Sequence, residues 1–254
     1  MARLSVNLNK VALLRNSRRT GVPDVTRFGR IALDAGARGI TVHPRPDERH
    51  IRASDVPALA AMMKNDRPSI ELNIEGYPDD RLMTILRESR PEQCTLVPDA
   101  PDAFTSEEGW KLTGAQMEEA RAAVTAIKAL GCRVILFSDP DPGVAARALA
   151  SGADGIEIYT GSYAAAFHTG THGALLAAIA ETARRAADLG LVVNAGHDLN
   201  LRNIPPLIDA VPFLAEASIG HELTADALEM GFAATVAAYA AALGRSPGAN
   251  APGH

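Results

Sequence analysis

Short runs of aliphatic and β-branched residues alternate along this chain with longer, alanine-rich stretches of helical period. The short runs are Leu4–Asn9, Gly39–His43, Ser69–Ile74, Gln93–Pro98, Arg133–Ser138, Gly155–Tyr159, Gly190–Asn194 and Phe213–Ile219. The helical stretches include Val25–Ala35, Ala115–Leu130, Pro142–Ala150, Ala174–Leu189 and Ala225–Ala242. Several of them end on a glycine just before the next strand: Gly36, Gly131, Gly152 and Gly190. Glycine there suits the left-handed residue that terminates a helix. Strand, helix, glycine stop, strand, repeated some eight times, predicts a (β/α)8 barrel with extra helices. An open doubly wound sheet would carry a G-x-G-x-x-G turn after its first strand. Here that place reads Asn7-Leu8-Asn9-Lys10.

The 254 residues are 47% hydrophobic, enough for one large core, and only 4% aromatic, so the core must be aliphatic. The expected barrel domain covers residues 1–243, and the Gly/Pro-rich 244–254 reads as a disordered tail. Net charge is -5 and no long basic run occurs, which argues against a nucleic-acid partner. No apolar run is long enough to span a bilayer, and Met1-Ala2-Arg3-Leu4-Ser5 does not read as a signal peptide. A cytoplasmic protein is expected, with Cys94 and Cys132 as reduced core thiols. Two polar segments exceed a minimal barrel: an Arg-rich loop over residues 15–22 and a long loop over residues 99–113 containing Trp110. Long loops of this kind are often lids or binding loops.

In a barrel of this type the site lies at the carboxyl ends of the strands. His43, His197 and His221 close predicted strands, Glu75 follows the third, and Arg45 and His50 lie in the loop after the second. A single histidine there can equally cap a helix; several on one rim point to a shared pocket. Glu75 is either an exposed loop carboxylate or part of a shaped turn, Asn73-Ile-Glu-Gly-Tyr-Pro78. Glu157, between Ile156 and Ile158, points into the barrel on period-two alternation. A carboxylate buried there needs partners or a raised pKa, a cost often met at functional sites. His168 and His172 have the spacing of a metal pair but no evident third ligand, and read as a solvated loop leading into a helix.

Gly220 and the helix start behind it form a natural phosphate seat, with Glu222 as a mild objection. Arg15, Arg18, Arg19 and Arg45 suggest a second cationic cluster, so two phosphate groups would fit. Lys10 is the one lysine at a strand end, which leaves a Schiff-base aldolase with a single candidate amine. The residues favour general acid–base chemistry without metal or cofactor.

These motifs together resemble the pyridoxine 5′-phosphate synthase family. The resemblance rests on Val6-Asn7, Leu14-Arg-Asn16, Gly39-Ile-Thr-Val-His43, Leu96-Val-Pro98 with Thr105, Ile156-Glu-Ile158 with Thr160-Gly161, Val193-Asn-Ala-Gly-His197 and Ile219-Gly-His221. It runs from about Leu4 to Leu243. It implies a metal-free homo-octamer that condenses 3-amino-2-oxopropyl phosphate with 1-deoxy-D-xylulose 5-phosphate to give pyridoxine 5′-phosphate, phosphate and water. It implies His43 and Glu75 as proton acceptors, His197 as proton donor and Glu157 as a transition-state stabiliser. Asn7, Arg18, Asp198, Gly220 and His221 would hold the aminoketone phosphate; Asn9, Lys10, Arg45, His50 and Thr105 would hold the sugar phosphate. Asn9-Lys10 stands where many members carry Asp-His, Arg19 where glycine is common, and Asp198 where glycine is usual. The runner-up is another phosphosugar barrel enzyme, an isomerase or a Lys10 aldolase.

Overall fold

A computed structural model describes residues 1–98 and 108–246. Eight parallel strands close a barrel in strict chain order: β1 (Arg3–Asn7), β2 (Gly39–Val42), β3 (Glu71–Gly76), β4 (Gln93–Leu96), β5 (Arg133–Ser138), β6 (Gly155–Tyr159), β7 (Val192–Gly196) and β8 (Glu216–Ile219). The ring is sealed by β8 pairing with β1, where Ser5 lies opposite Ser218. The (β/α)8 expectation therefore holds, and the doubly wound alternative does not.

Period-two alternation explains how the strands divide their residues. Leu4, Val6, Ile40, Val42, Leu72, Ile74, Ile156 and Ile158 belong to the apolar core that packs beneath the helices. The alternate residues meet across the barrel axis, and most of them are polar, with Ile135 and Phe137 of β5 as buried apolar members. Ser5 and Thr41 hydroxyls lie 2.7 Å apart, and Asn73 Nδ2 donates to Thr41 at 3.3 Å and to Thr95 at 3.1 Å. Nearer the amino ends of the strands, Gln93 Nε2 donates to Glu216 at 3.3 Å, Arg133 Nε donates to Gln93 at 3.1 Å, and Arg133 also pairs with Glu71. Many barrels fill this axis with branched aliphatic side chains; here hydrogen-bonded polar side chains take most of those places.

Among the described residues the outer layer comprises α1 (Asn9–Asn16), α2 (Val25–Asp34), α3 (Asp55–Met62), α4 (Asp80–Ser89), α5 (Ala115–Lys128), α6 (Val144–Ser151), α7 (Gly161–Phe167), α8 (Gly173–Asp188), α9 (Ile204–Ala210), α10 (His221–Met230) and α11 (Phe232–Leu243). Asp24 and Asp79 start α2 and α4 by accepting from the backbone N–H three residues on, each at 2.7 Å. Gly36, Gly131, Gly152 and Gly190 all have positive φ, as their place before a strand requires. Two expectations are corrected. The Arg-rich loop expected over residues 15–22 starts only after Asn16, because α1 runs from Asn9 to Asn16. The stretch 225–242 is not one helix, because Gly231 at φ 82° breaks it into α10 and α11.

Trp110 is buried, its indole N–H donating to Leu96 O at 3.0 Å, so it anchors the chain just ahead of α5 in the core. Both cysteines are free and buried. No helix among the described residues is long and apolar enough to cross a membrane. Of the expected tail, residues 247–254 lie outside the described residues.

Candidate active site

The carboxyl ends of the strands enclose a cavity of about 330 Å³. Asn7 from β1, Asn9, Lys10 and Leu13 from α1, and His43, Arg45, Arg49 and His50 after β2 form one side. Glu75, Glu157 and Tyr159, from β3 and β6, form the floor and back. His197 and Asp198 after β7, Ser218 of β8, and Gly220 and His221 behind it complete the wall. Residues far apart in sequence converge because each sits at the same end of a parallel strand.

A hydrogen-bonded chain fixes the first side. Asn7 Oδ1 accepts from Asn9 N at 2.9 Å, and Asn9 Oδ1 accepts from His43 N at 2.9 Å. Asn7 Nδ2 donates to Glu75 Oε2 at 3.3 Å, and the same carboxylate oxygen lies 3.9 Å from His43 Nδ1. Glu75 is thus held toward His43 inside the cavity; it belongs to strand β3, and is neither in a turn nor an exposed loop carboxylate. Burial, then the charges of Arg45, His50 and His197, push the His43 pKa well below its usual 6.5. Burial, then Arg45 and Lys10, bring His50 to about 4. His50 Nδ1 accepts from Ile51 N at 2.9 Å, which leaves the ring proton on Nε2. Both imidazoles are neutral near pH 7, and a neutral imidazole can accept a proton.

Glu157 is the opposite case. It is 3% exposed, and Thr95 Oγ1 lies 3.5 Å from its Oε2. Burial, then the charges of Glu75 and Glu216, raise its pKa well above 4.5. That shift favours the protonated acid, which can donate a hydrogen bond to negative charge that forms above it. Unlike a lone buried carboxylate, it faces a cavity in which such charge can appear.

His197 and Asp198 have φ of 80° and 56°, both in the left-handed region. Two adjacent non-glycine residues there cost on the order of 1–3 kcal/mol each and persist only where the surroundings enforce them. The His197 ring packs against both Phe137 and Tyr159, with centroids 5.2 Å and 5.3 Å away.

Lys10, Arg45 and Arg49 supply positive charge to the cavity wall. Gly220 approaches Asn7 so closely that a Cβ on it would lie 3.0 Å from the Asn7 Cβ. It precedes α10, whose first N–H groups are suited to an anion. Glu222, in that first turn, is turned toward Asn200, whose Nδ2 lies 3.3 Å from Glu222 Oε2.

The expected arginine cluster is not assembled. Arg15 is buried and occupied: it pairs with Asp55 at 2.6 Å and donates to His50 O at 3.0 Å. It braces the loop that carries His50. Arg18 and Arg19 are exposed and outside the cavity lining. Thr105 lies outside the described residues. His168 and His172 flank the turn between α7 and α8, and among the described residues no three His, Cys, Asp or Glu side chains form a metal-binding group. Leu13, Arg49, Tyr159 and Ser218 line the cavity without having been singled out. The signal for Tyr159 and Ser218 was present, since both occupy or adjoin strand ends.

The chain matches the family described as PdxJ, pyridoxal phosphate biosynthesis protein PdxJ, over residues 4–245. A pyridoxine 5′-phosphate synthase of Chelativorans sp. (strain BNC1) is 52% identical over 243 residues, covering 94% of this chain and 98% of the relative. Another of that name, from Allorhizobium ampelinum, is 50% identical over 246 residues, 96% of this chain and 98% of the relative. Among solved structures, phosphoribosyl anthranilate isomerase from Thermotoga maritima superposes with a TM-score of 0.61 at 13% identity, covering 96% of this chain and 98% of that one. A tryptophan synthase structure from M. tuberculosis gives 0.63 at 14% identity, with 95% and 93% covered. These two likenesses concern the fold alone.

Proposed function

The chain belongs to the PdxJ family of pyridoxal phosphate biosynthesis proteins, and from that premise we propose how its cavity works as a pyridoxine 5′-phosphate synthase. The reaction joins 3-amino-2-oxopropyl phosphate to 1-deoxy-D-xylulose 5-phosphate and releases phosphate and water as the pyridine ring closes. The substrate's own amine forms the imine, so the protein has to move protons and stabilise charge. The observation that carries this reading is the convergence of His43, Glu75, Glu157 and His197 on one cavity whose wall also holds Lys10, Arg45 and Arg49.

His43, kept neutral by burial and neighbouring cations, takes protons from carbon or nitrogen of the condensing substrates. Glu75, 3.9 Å away, stabilises the imidazolium that results and serves as a second acceptor. Glu157, protonated in the resting site, donates a hydrogen bond to the oxygen on which negative charge develops. His197, on the opposite wall, returns a proton to the departing oxygen. Asn7, Asp198, Gly220 and His221 form the aminoketone phosphate subsite, with Arg18 beyond its rim. Asn9, Lys10, Arg45 and His50 form the sugar phosphate subsite. Family membership leads us further to propose a cytoplasmic homo-oligomer, an octamer, for which exposed Leu14, Val22 and Leu228 offer apolar surface. Sedimentation or mass measurement tests the subunit number.

Purified protein given both substrates, without added metal or nucleotide, is expected to accumulate pyridoxine 5′-phosphate, read by product absorbance. Absence of product across a full titration of both substrates overturns the reading. A Schiff-base aldolase keeps one supporting feature, the presence of Lys10 in the cavity. Borohydride trapping of substrate on Lys10 would favour that alternative.

A further inference from the structure

Three successive carbonyls, those of Gly196, His197 and Asp198, are captured by two buried side chains that do not line the cavity. The Thr160 hydroxyl lies 2.6 Å from Gly196 O and 2.6 Å from His197 O, and shares its single proton between them. The Thr160 backbone N–H also donates to Gly196 O, at 2.9 Å. Asn203 Nδ2 donates to Asp198 O at 3.0 Å, while Asn203 Oδ1 accepts from Asn200 N at 2.7 Å. Both side chains belong to residues with no exposed surface. Tyr163 extends the bracing, its hydroxyl donating to Asn203 O at 2.7 Å.

The captured stretch is the one whose backbone is out of the ordinary. His197 and Asp198 sit at φ 80° and 56°, which histidine and aspartate seldom adopt and which no glycine relieves here. A backbone free to relax would rotate about these bonds and swing the His197 ring away from Phe137 and Tyr159. The fixed carbonyls oppose that rotation directly, since turning φ of His197 or Asp198 moves the carbonyls beyond it.

We propose that Thr160 and Asn203 are positioning residues. They clamp the carbonyls of Gly196, His197 and Asp198, and so aim the His197 imidazole and the Asp198 backbone into the cavity. The proposal rests on the proton-donor role given to His197 above. It adds two residues that touch no substrate yet set the rate of proton return. A hydroxyl is required at residue 160, whereas the methyl group is dispensable.

Thr160→Val keeps the shape and removes the hydroxyl; Thr160→Ser keeps the hydroxyl. In the two-substrate assay Thr160→Val is expected to lower kcat at least tenfold with KM for 1-deoxy-D-xylulose 5-phosphate, whose subsite the clamp does not touch, within threefold of the parent. Thr160→Ser is expected to hold kcat within threefold. Parental turnover in Thr160→Val, or an equal loss in Thr160→Ser, overturns the clamp. Asn203→Asp, which retains the acceptor and loses the donor, is expected to repeat the kcat loss, and does so as an independent test should Thr160→Val fold poorly. Unchanged kcat in Asn203→Asp counts against the proposal. A crystal structure of Thr160→Val, or of Asn203→Asp in its place, gives a readout separate from the identity of the reaction. His197 and Asp198 are expected to leave the left-handed region there; finding both unchanged overturns the clamp even if the parent protein makes a different product.

Discussion

Gly196 leaves the space that the Glu157 carboxylate fills: a Cβ added to Gly196 would overlap Glu157 Oε1 and lie 3.1 Å from its Cδ. The two residues sit on neighbouring strands, and the missing side chain on one is what lets the acid of the other stand in the cavity floor. Gly196→Ala is therefore expected to displace the carboxyl group. Overpacking of this kind costs about 1–3 kcal/mol, and misplacing a reacting group lowers turnover by roughly tenfold or more. Thermal melting and steady-state kinetics check both; parental kcat in a folded Gly196→Ala protein would contradict the placement of Glu157.

Because burial favours the protonated form of Glu157, Glu157→Gln is expected to exchange one neutral group for another. The variant is expected to fold with stability equal to or above that of the parent. If the acid only donates a hydrogen bond, the amide partly replaces it; if it also yields its proton, kcat falls by roughly 10²-fold or more. Comparing kcat of the Gln and Ala variants separates the two cases. A Gln variant that is strongly destabilised would show that Glu157 is ionised in the native state.

His43 keeps its neutral form to pH values well below 6.5. With His43 as the proposed base, the acid limb of the kcat/KM profile is expected below pH 6.5. The same depression affects stability. As pH falls below 6.5 the unfolded chain takes up protons that the native His43 and His50 refuse, so stability is lost in that direction. For His50 this continues to its folded pKa of about 4, at no more than about 1.4 kcal/mol per pH unit. His50→Gln removes that contribution, and chemical denaturation at pH 7 and pH 5 measures it. An acid limb at or above pH 6.5 would contradict the neutral-base assignment.

At the other end of the barrel axis, burial and the neighbouring Glu71 charge raise Glu216 to about 8, against the pull of Arg3 and Arg133. Here the sign is reversed. Between its ordinary 4.5 and about 8 the unfolded chain has released a proton that the native state retains. This contribution is intact below 4.5 and is lost as pH rises toward 8. Glu216→Gln preserves the acceptor for Gln93 and cannot ionise. Its denaturation midpoint is expected to fall less than the parent's between pH 6 and pH 8. Equal slopes in the two proteins would place Glu216 outside the titration.

The barrel and most of its mouth were legible in the sequence for one physical reason. Parallel strands alternate with period two and end in step, so a residue's place in its run fixes both its face and its height. Glu157 between two isoleucines and His197 after Val192–Gly196 follow from that rule. Helix content was less legible. The α1 segment is short and polar, with Leu13 and Leu14 exposed, and carries no clear apolar face. The split at Gly231 depends on a single backbone angle. Arg15 looked like a ligand for phosphate because its partner, Asp55, lies forty residues on and on no shared element. The clamp on His197 was hidden for the same reason: Thr160 meets its carbonyls across the barrel rim and not along the chain.

The central claim is that one cavity brings proton acceptors and a proton donor to two phosphorylated substrates. His197→Asn keeps a polar side chain at the site and removes the titrating group. In the two-substrate assay its kcat is expected to fall by about 10²–10⁴-fold while KM for each substrate stays within about threefold. A His197→Asn protein that turns over like the parent, or that loses substrate affinity while keeping kcat, would contradict the account.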